Sequence, residues 1–255
     1  RAGHQAVNRQ SPLLSATLPD GARVQMIGPP ATRRHWAMAI RRHIHRAVSL
    51  EAYAPGPITA RAARRPAGEQ EAAARADPVA FLKQAVAARR TILISGGTSS
   101  GKTTFLNSLL AHTDPAERIV LVEDTAEIAA PHQNAVGLIA VKGNQGEAEV
   151  GVDDLLQASL RMRPDRIILG EIRGAEAITF LRAVNTGHPG SLSTIHADSP
   201  ERAIDQLALL VLQAGSRLSW DDVVRYIARS IDVIVQLDRS EGVRRIAQLR
   251  ITQPE

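Results

Sequence analysis

Gly96-Gly97-Thr98-Ser99-Ser100-Gly101-Lys102-Thr103-Thr104 is the stretch that decides the fold. It fits G-x-x-x-x-G-K-[ST], with Gly96 and Gly101 as the fixed glycines, followed by Lys102 and Thr103. The apolar run Thr91-Ile92-Leu93-Ile94 precedes it, and Thr104 to Leu110 follows with apolar residues at helical spacing. Strand, glycine loop, helix is the context that a phosphate-binding loop requires. Glycines let successive backbone N–H groups turn inward around a polyphosphate, and the helix N-terminus adds partial positive charge. Lys102 can then reach the outer phosphates, and the Thr103 hydroxyl can ligate Mg²⁺. The same pattern arising by accident in a chain of this length is expected about one time in a hundred. The loop, Gly96 to Thr104, therefore reads as a nucleoside triphosphate site.

The 255 residues are 44% hydrophobic and 22% charged, an ordinary globular composition with length enough for one large domain or two smaller ones. Aromatics are only 3%, so the core must be aliphatic. The absence of cysteine excludes disulfides and cysteine-ligated zinc. His43 and His45 are close in sequence, but they have no Cys, Asp or Glu beside them at metal-ligand spacing. No apolar stretch approaches the ~18–20 residues of a membrane-spanning helix. A net charge of +5 suits nucleic acid or an anionic membrane surface, and equally an arginine-rich coding bias. No aromatic residues interleave with the basic ones as stacking platforms would require.

Upstream of the loop, residues 1–48 read as a small α/β N-terminal domain. Leu13 to Leu18 and Arg23 to Ile27 are strands around the Pro19-Asp20-Gly21 turn, and Trp36 to Ile40 is a third. The unit starts abruptly, on Arg1, so part of it is expected upstream. Residues 49–77, with Pro55, Gly56, Pro57, Pro66 and Gly68, read as a linker. From Asp77-Pro78, a helix cap followed by proline, residues 78–255 alternate strands with helices. Val79, Leu82 and Val86 are placed on one face of the first helix. Alternation of this kind predicts a mostly parallel sheet covered on both faces, with an antiparallel edge at the end. Ligands bind beyond the carboxyl ends of such strands.

Glu123, Glu171 and His196 end three of those strands and are expected to converge on the loop. Phosphoryl transfer needs a metal shell, a group that orients water, and positive charge on the transition state. Glu171 suits the metal shell or the water. In the acidic cluster Glu123, Asp124 and Glu127, Glu123 is favoured because it terminates its strand directly. His196 can report on a γ-phosphate. Arg161, Arg163, Arg166 and Arg173 flank the Glu171 strand; one could serve as an arginine finger, but a solvated basic edge is the better reading for any single one.

Four motifs in this order resemble the type II and type IV secretion ATPase superfamily. They are the phosphate loop, the acidic box V-E-D-T-A-E-I, the run R-I-I-L-G-E-I-R-G and the histidine box G-H-P-G-S-L-S-T-I-H-A, spanning roughly residues 78 to 237. Within it the chain looks most like the VirB-eleven family of type IV secretion and conjugation. Leu18-Pro19-Asp20-Gly21-Ala22-Arg23-Val24-Gln25, Pro29-Pro30 and Ala39-Ile40-Arg41-Arg42 are similar to that family's N-terminal signature, with Arg42 where it often has Lys. The resemblance implies a RecA-like ATPase domain in a homo-hexameric ring. The cofactors would be ATP and Mg²⁺, bound through Lys102, Thr103 and Glu171, with His196 sensing the γ-phosphate and Arg23 and Arg41 approaching from the N-terminal side. It also implies partners among other secretion ATPases and inner-membrane components, with peripheral contact at the cytoplasmic face of the inner membrane. Tight-adherence pilus ATPases, which share the wording G-S-L-S-T-I-H-A, are the alternative. A nucleotide-gated scaffold with little turnover and a nucleic-acid motor are the competing classes.

Overall fold

The computed structural model describes residues 7–42, 67–141, 149–240 and 242–252. His43 and His45, the end of the N-terminal unit and residues 49–66 lie outside them. In the first described segment, β1 (Leu13–Thr17), β2 (Arg23–Ile27) and β3 (Ala37–Arg41) form a three-stranded antiparallel sheet. The Asp20-Gly21 turn joins β1 to β2: Gly21 has φ 80°, and the Asp20 carboxylate accepts the Ala22 N–H at 3.0 Å. The described residues of this unit contain no helix, so the α/β reading of it is met only in its strands.

One element falls inside the stretch 49–77 read as linker. Helix α1 (Ala67–Ala76) packs on the next helix and on the last strand, and Ala74 is buried. Pro66 stands ahead of the helix and Gly68 sits in its first turn. The run of alanines carries the helical propensity that a count of breakers hides.

The remaining elements are α2 (Pro78–Ala87), β4 (Ile92–Gly96), α3 (Lys102–Leu110), β5 (Ile119–Glu123), β6 (Ala135–Ile139), α4 (Val152–Ser159), β7 (Arg166–Leu169), α5 (Glu176–Asn185), β8 (Leu192–Ile195), α6 (Pro200–Gln213), α7 (Trp220–Ser230), β9 (Val233–Ser240) and β10 (Val243–Ile251). The second sheet has seven strands in the order β10-β9-β4-β8-β7-β5-β6. All pair parallel except β9 with β10. The mostly parallel sheet with an antiparallel edge is thus as expected.

Two-residue periodicity divides the strands between two cores. Ile92, Ile94, Ile119 and Leu121 face the cluster that holds Leu82, Val86, Leu106 and Leu110 of α2 and α3. Leu93, Val120 and Val122 face the opposite cluster, with Leu156, Phe180, Leu207 and Ile227 of α4 to α7. Val79 is a correction: it is 55% exposed, and the buried face of α2 is Phe81, Leu82, Ala85 and Val86. Asp77 caps that helix as expected, accepting the Ala80 N–H at 2.9 Å.

The N-terminal sheet docks on the free edge of β6. Thr32 bridges Leu138, the Arg33 N–H donates to the Gly137 carbonyl at 3.1 Å, and the Ile139 N–H donates to Ala31 at 3.0 Å. Ile27 and Ala31 join the second core cluster.

Arg166 is another correction, since it is no solvated edge. It is 1% exposed at the start of β7 and forks onto Glu117, with Nε at 2.5 Å and Nη2 at 3.2 Å. It also donates to the carbonyls of Val86 and Gly190. Arg89 gives Glu117 a second partner at 3.1 Å. This ionic cluster lies at the amino ends of the parallel strands, away from the phosphate loop. His188 shares that end. Its Nδ1–H donates to the Pro164 carbonyl at 3.1 Å, and burial lowers its pKa below the ordinary imidazole value.

Candidate active site

The phosphate loop runs from Gly96, the last residue of β4, to Lys102, the first of α3. Gly101 has φ 90°, left-handed backbone that an L side chain rarely adopts, and a Cβ there would also stand 2.8 Å from Arg244 Cδ. Lys102 curls back over the loop, and its Nζ donates to the carbonyls of Gly96 at 2.8 Å and Gly97 at 3.3 Å. The Ser100 hydroxyl donates to the Gly97 carbonyl at 2.9 Å. Burial lowers the Lys102 pKa, the Glu171 carboxylate opposes that shift, and Arg173 adds to it.

A cavity of about 300 Å³ opens over the loop. Ser99, Ser100, Gly101, Lys102, Thr103 and Thr104 form its floor, and Glu127, Glu171, Thr194 and Arg244 form its walls. Its size lies at the low end for a small-molecule site. A larger cavity of about 460 Å³, between α1, α6 and β10, has no phosphate-binding backbone.

Of the three expected strand tips, only Glu171 lines the cavity. It is half-buried and ion-paired with Arg173, which also reaches Asp124 at 3.3 Å. Glu123 is buried and turned away from the loop. One carboxylate oxygen pairs with Arg33, and the other accepts the N–H groups of Glu127 at 2.9 Å and Ile128 at 2.7 Å. The carboxylate that reaches the phosphate side is Glu127, four residues on, which accepts the Thr103 hydroxyl at 3.2 Å. His196 is exposed just past the end of β8, and Thr194 is the β8 residue in the cavity wall. Gly96 and Gly97 offer their carbonyls to Lys102, Thr98 is exposed, and none of the three lines the cavity. Arg23 and Arg41 are exposed and lie directly opposite each other in the N-terminal sheet, outside the cavity.

Arg244 has no signal in any motif. It is reached through register: β9 pairs Gly96 with Leu237, so the hairpin beyond Leu237 overhangs the loop, and Arg244 stands on its returning strand opposite Arg239. Pairing across a whole sheet is not visible in local sequence.

A P-loop between strand and helix, with two carboxylates and a lysine around one cavity at the carboxyl edge of a parallel sheet, defines a P-loop nucleoside triphosphatase. The chain belongs to the type II/IV secretion system protein family, whose model matches residues 60–247. It is 38% identical over 266 residues to the type IV secretion system protein VirB11 of Bartonella henselae, covering 96% of this chain and 75% of the relative. With the protein VirB11 of Agrobacterium fabrum it shares 39% over 244 residues, 91% of this chain and 71% of that one. The crystal structure of the VirB11 ATPase from the Brucella suis type IV secretion system, in complex with sulphate, superposes with a TM-score of 0.85 at 32% identity. That match covers 97% of this chain and 76% of the other. The tight-adherence pilus reading is not favoured.

Proposed function

We propose that the chain hydrolyses ATP and couples the cycle to substrate translocation or pilus assembly by a type IV secretion system. The observation that carries this reading is the convergence of Lys102, Thr103, Glu127 and Glu171 on one cavity. Lys102 binds the outer phosphates after leaving its two loop carbonyls. Glu171 orients and polarises the attacking water, with Arg173 holding its carboxylate. Thr103, Glu127 and Glu171 present only oxygen donors, which suits Mg²⁺. That cation, when bound, neutralises charge on the phosphate oxygens. Glu123 acts by placing Glu127 rather than by meeting the phosphates. His196, just past the end of β8 and outside the present cavity lining, is assigned the sensing of the γ-phosphate by its place in the histidine box.

Arg23 and Arg41 approach the nucleotide from the N-terminal unit. Their like charges face each other across two strands, an arrangement that an anion relieves. The units of function we propose are an N-terminal domain (1–48), a connecting segment (49–77) and the ATPase domain (78–255). The assembly is a homo-hexameric ring at the cytoplasmic face of the inner membrane, alongside other secretion ATPases. No helix among the described residues is long and apolar enough to cross a membrane.

Glu171→Gln tests the reading most directly. Steady-state hydrolysis is expected to fall on the order of 10²- to 10³-fold, with ATP affinity held within a few-fold. Unchanged turnover would sink the assignment. Particle mass measured with ATP and Mg²⁺ tests the ring. Arg244→Ala is expected to raise the KM for ATP about 10-fold at unchanged kcat, the share of one charge-assisted hydrogen bond. A KM equal to that of the parent protein would place Arg244 outside the nucleotide contacts.

A further inference from the structure

Arg33 stands in the N-terminal unit, yet it ends beside the acidic loop of the ATPase domain. Its main chain is fastened to β6 by the N–H bond to Gly137 and by the neighbouring Thr32–Leu138 bridge. Its side chain then crosses directly over Gly137. A Cβ at Gly137 would lie 2.5 Å from Arg33 Cδ and 2.7 Å from Nε, so a side chain at residue 137 would push the Arg33 side chain off this path. Beyond it, Nη2 bonds the Glu123 carboxylate and donates to the Ile128 carbonyl at 3.0 Å.

Glu123 is thereby held from two sides. One oxygen takes Arg33 and the other takes the amides of Glu127 and Ile128. The two amides and the Ile128 carbonyl fix the loop that carries Glu127, and Glu127 accepts the Thr103 hydroxyl. The Glu123 side chain is 2% exposed, so this carboxylate is compensated by Arg33 rather than by water.

We propose that Arg33 is a positioning residue that ties the seating of the N-terminal sheet on β6 to the placement of Glu127 at the phosphate site. The inference rests on the ATPase reading above. Movement of the N-terminal sheet relative to β6 withdraws Arg33, frees the Glu123 carboxylate and releases the loop. The cavity then loses the Glu127 wall while the phosphate loop stays intact. The link runs through a contiguous set of hydrogen bonds with no stretch of empty distance.

The test is a double-mutant cycle between Arg33 and Gly137, read in the full chain. Arg33→Ala is expected to lower kcat about 10-fold and to weaken the Mg²⁺ dependence of ATP binding. ADP affinity without Mg²⁺ should stay within two-fold of the parent, since Lys102 and the loop amides are untouched. Arg33→Lys should recover part of the loss. Gly137→Ala, which obstructs the passage, should lower kcat comparably in the parent and have no further effect in Arg33→Ala. Melting temperatures of all four proteins identify any variant that merely unfolds. Additive losses in the double variant overturn the proposal, as does unchanged kcat in folded Arg33→Ala. A parent protein without turnover would instead overturn the ATPase reading. In that case the Mg²⁺-dependent nucleotide affinity of the same four proteins still decides whether Arg33 places Glu127.

Discussion

Lys102→Ala is expected to lose about 10³-fold in kcat/KM for ATP while keeping the melting temperature of the parent protein. The side chain is polar and partly open, and its two hydrogen bonds go to loop carbonyls that water can satisfy in its absence. What the variant lacks is the ammonium that, on the proposed function, reaches the outer phosphates from the floor of the cavity. Its pKa is lowered chiefly by burial and raised by Glu171, so the cavity pairs a desolvated cation with a carboxylate. Lys102→Arg should not rescue, because a planar guanidinium cannot fold back over Gly96 and Gly97 as a compact ammonium does. Measurement of hydrolysis and of nucleotide affinity decides the point. Turnover retained within 10-fold would mean that Lys102 does not bind the reacting phosphates.

Arg166→Ala is expected to cost about 3 kcal/mol of stability, toward the low end for breaking a buried ion pair. The guanidinium is fully enclosed, forks onto Glu117 and donates to two carbonyls on separate segments. Removing it strands those acceptors and opens a void. Arg89 remains beside Glu117, which is why the upper end of the range is not expected. For a domain of this size the melting temperature should drop by roughly 10 °C. Arg166→Lys keeps the charge but not the fork, and should fall between. A thermal scan that shows no shift would contradict the role. Nucleotide affinity per folded molecule should be unchanged, since Arg166 lies at the amino ends of the strands and the cavity at their carboxyl ends.

These two residues illustrate the reach and the limits of local sequence. Lys102 is legible because strand, loop and helix are consecutive in the chain, from Ile92 to Leu110, and the loop motif itself fits in nine residues. Arg166 is not, because its partners Glu117, Val86 and Gly190 come from other segments. Read locally, it is one more arginine in a basic run.

The acidic box shows the same division at finer scale. Strand termination places Glu123 correctly at the end of β5, but not which way its carboxylate turns. Arg33 arrives from ninety residues upstream in sequence and takes that carboxylate, and the backbone of residues 127 and 128 takes the rest. Glu127, not Glu123, then supplies the cavity wall. Helix α1 was hidden for another reason: its stability depends on packing against α2 and β10, and little amphipathic pattern marks it.

Sequence by itself determined the phosphate loop, the alternation of strands and helices, and the acidic and basic residues at strand ends. Each of those follows from periodicity or from turn chemistry within a few residues. Only the tertiary structure decided that Arg244 overhangs the loop, that Glu127 rather than Glu123 faces it, and that Arg33 crosses Gly137 to reach the acidic box. Those outcomes depend on strand order and on close approach between segments far apart in the chain, and no local pattern encodes them.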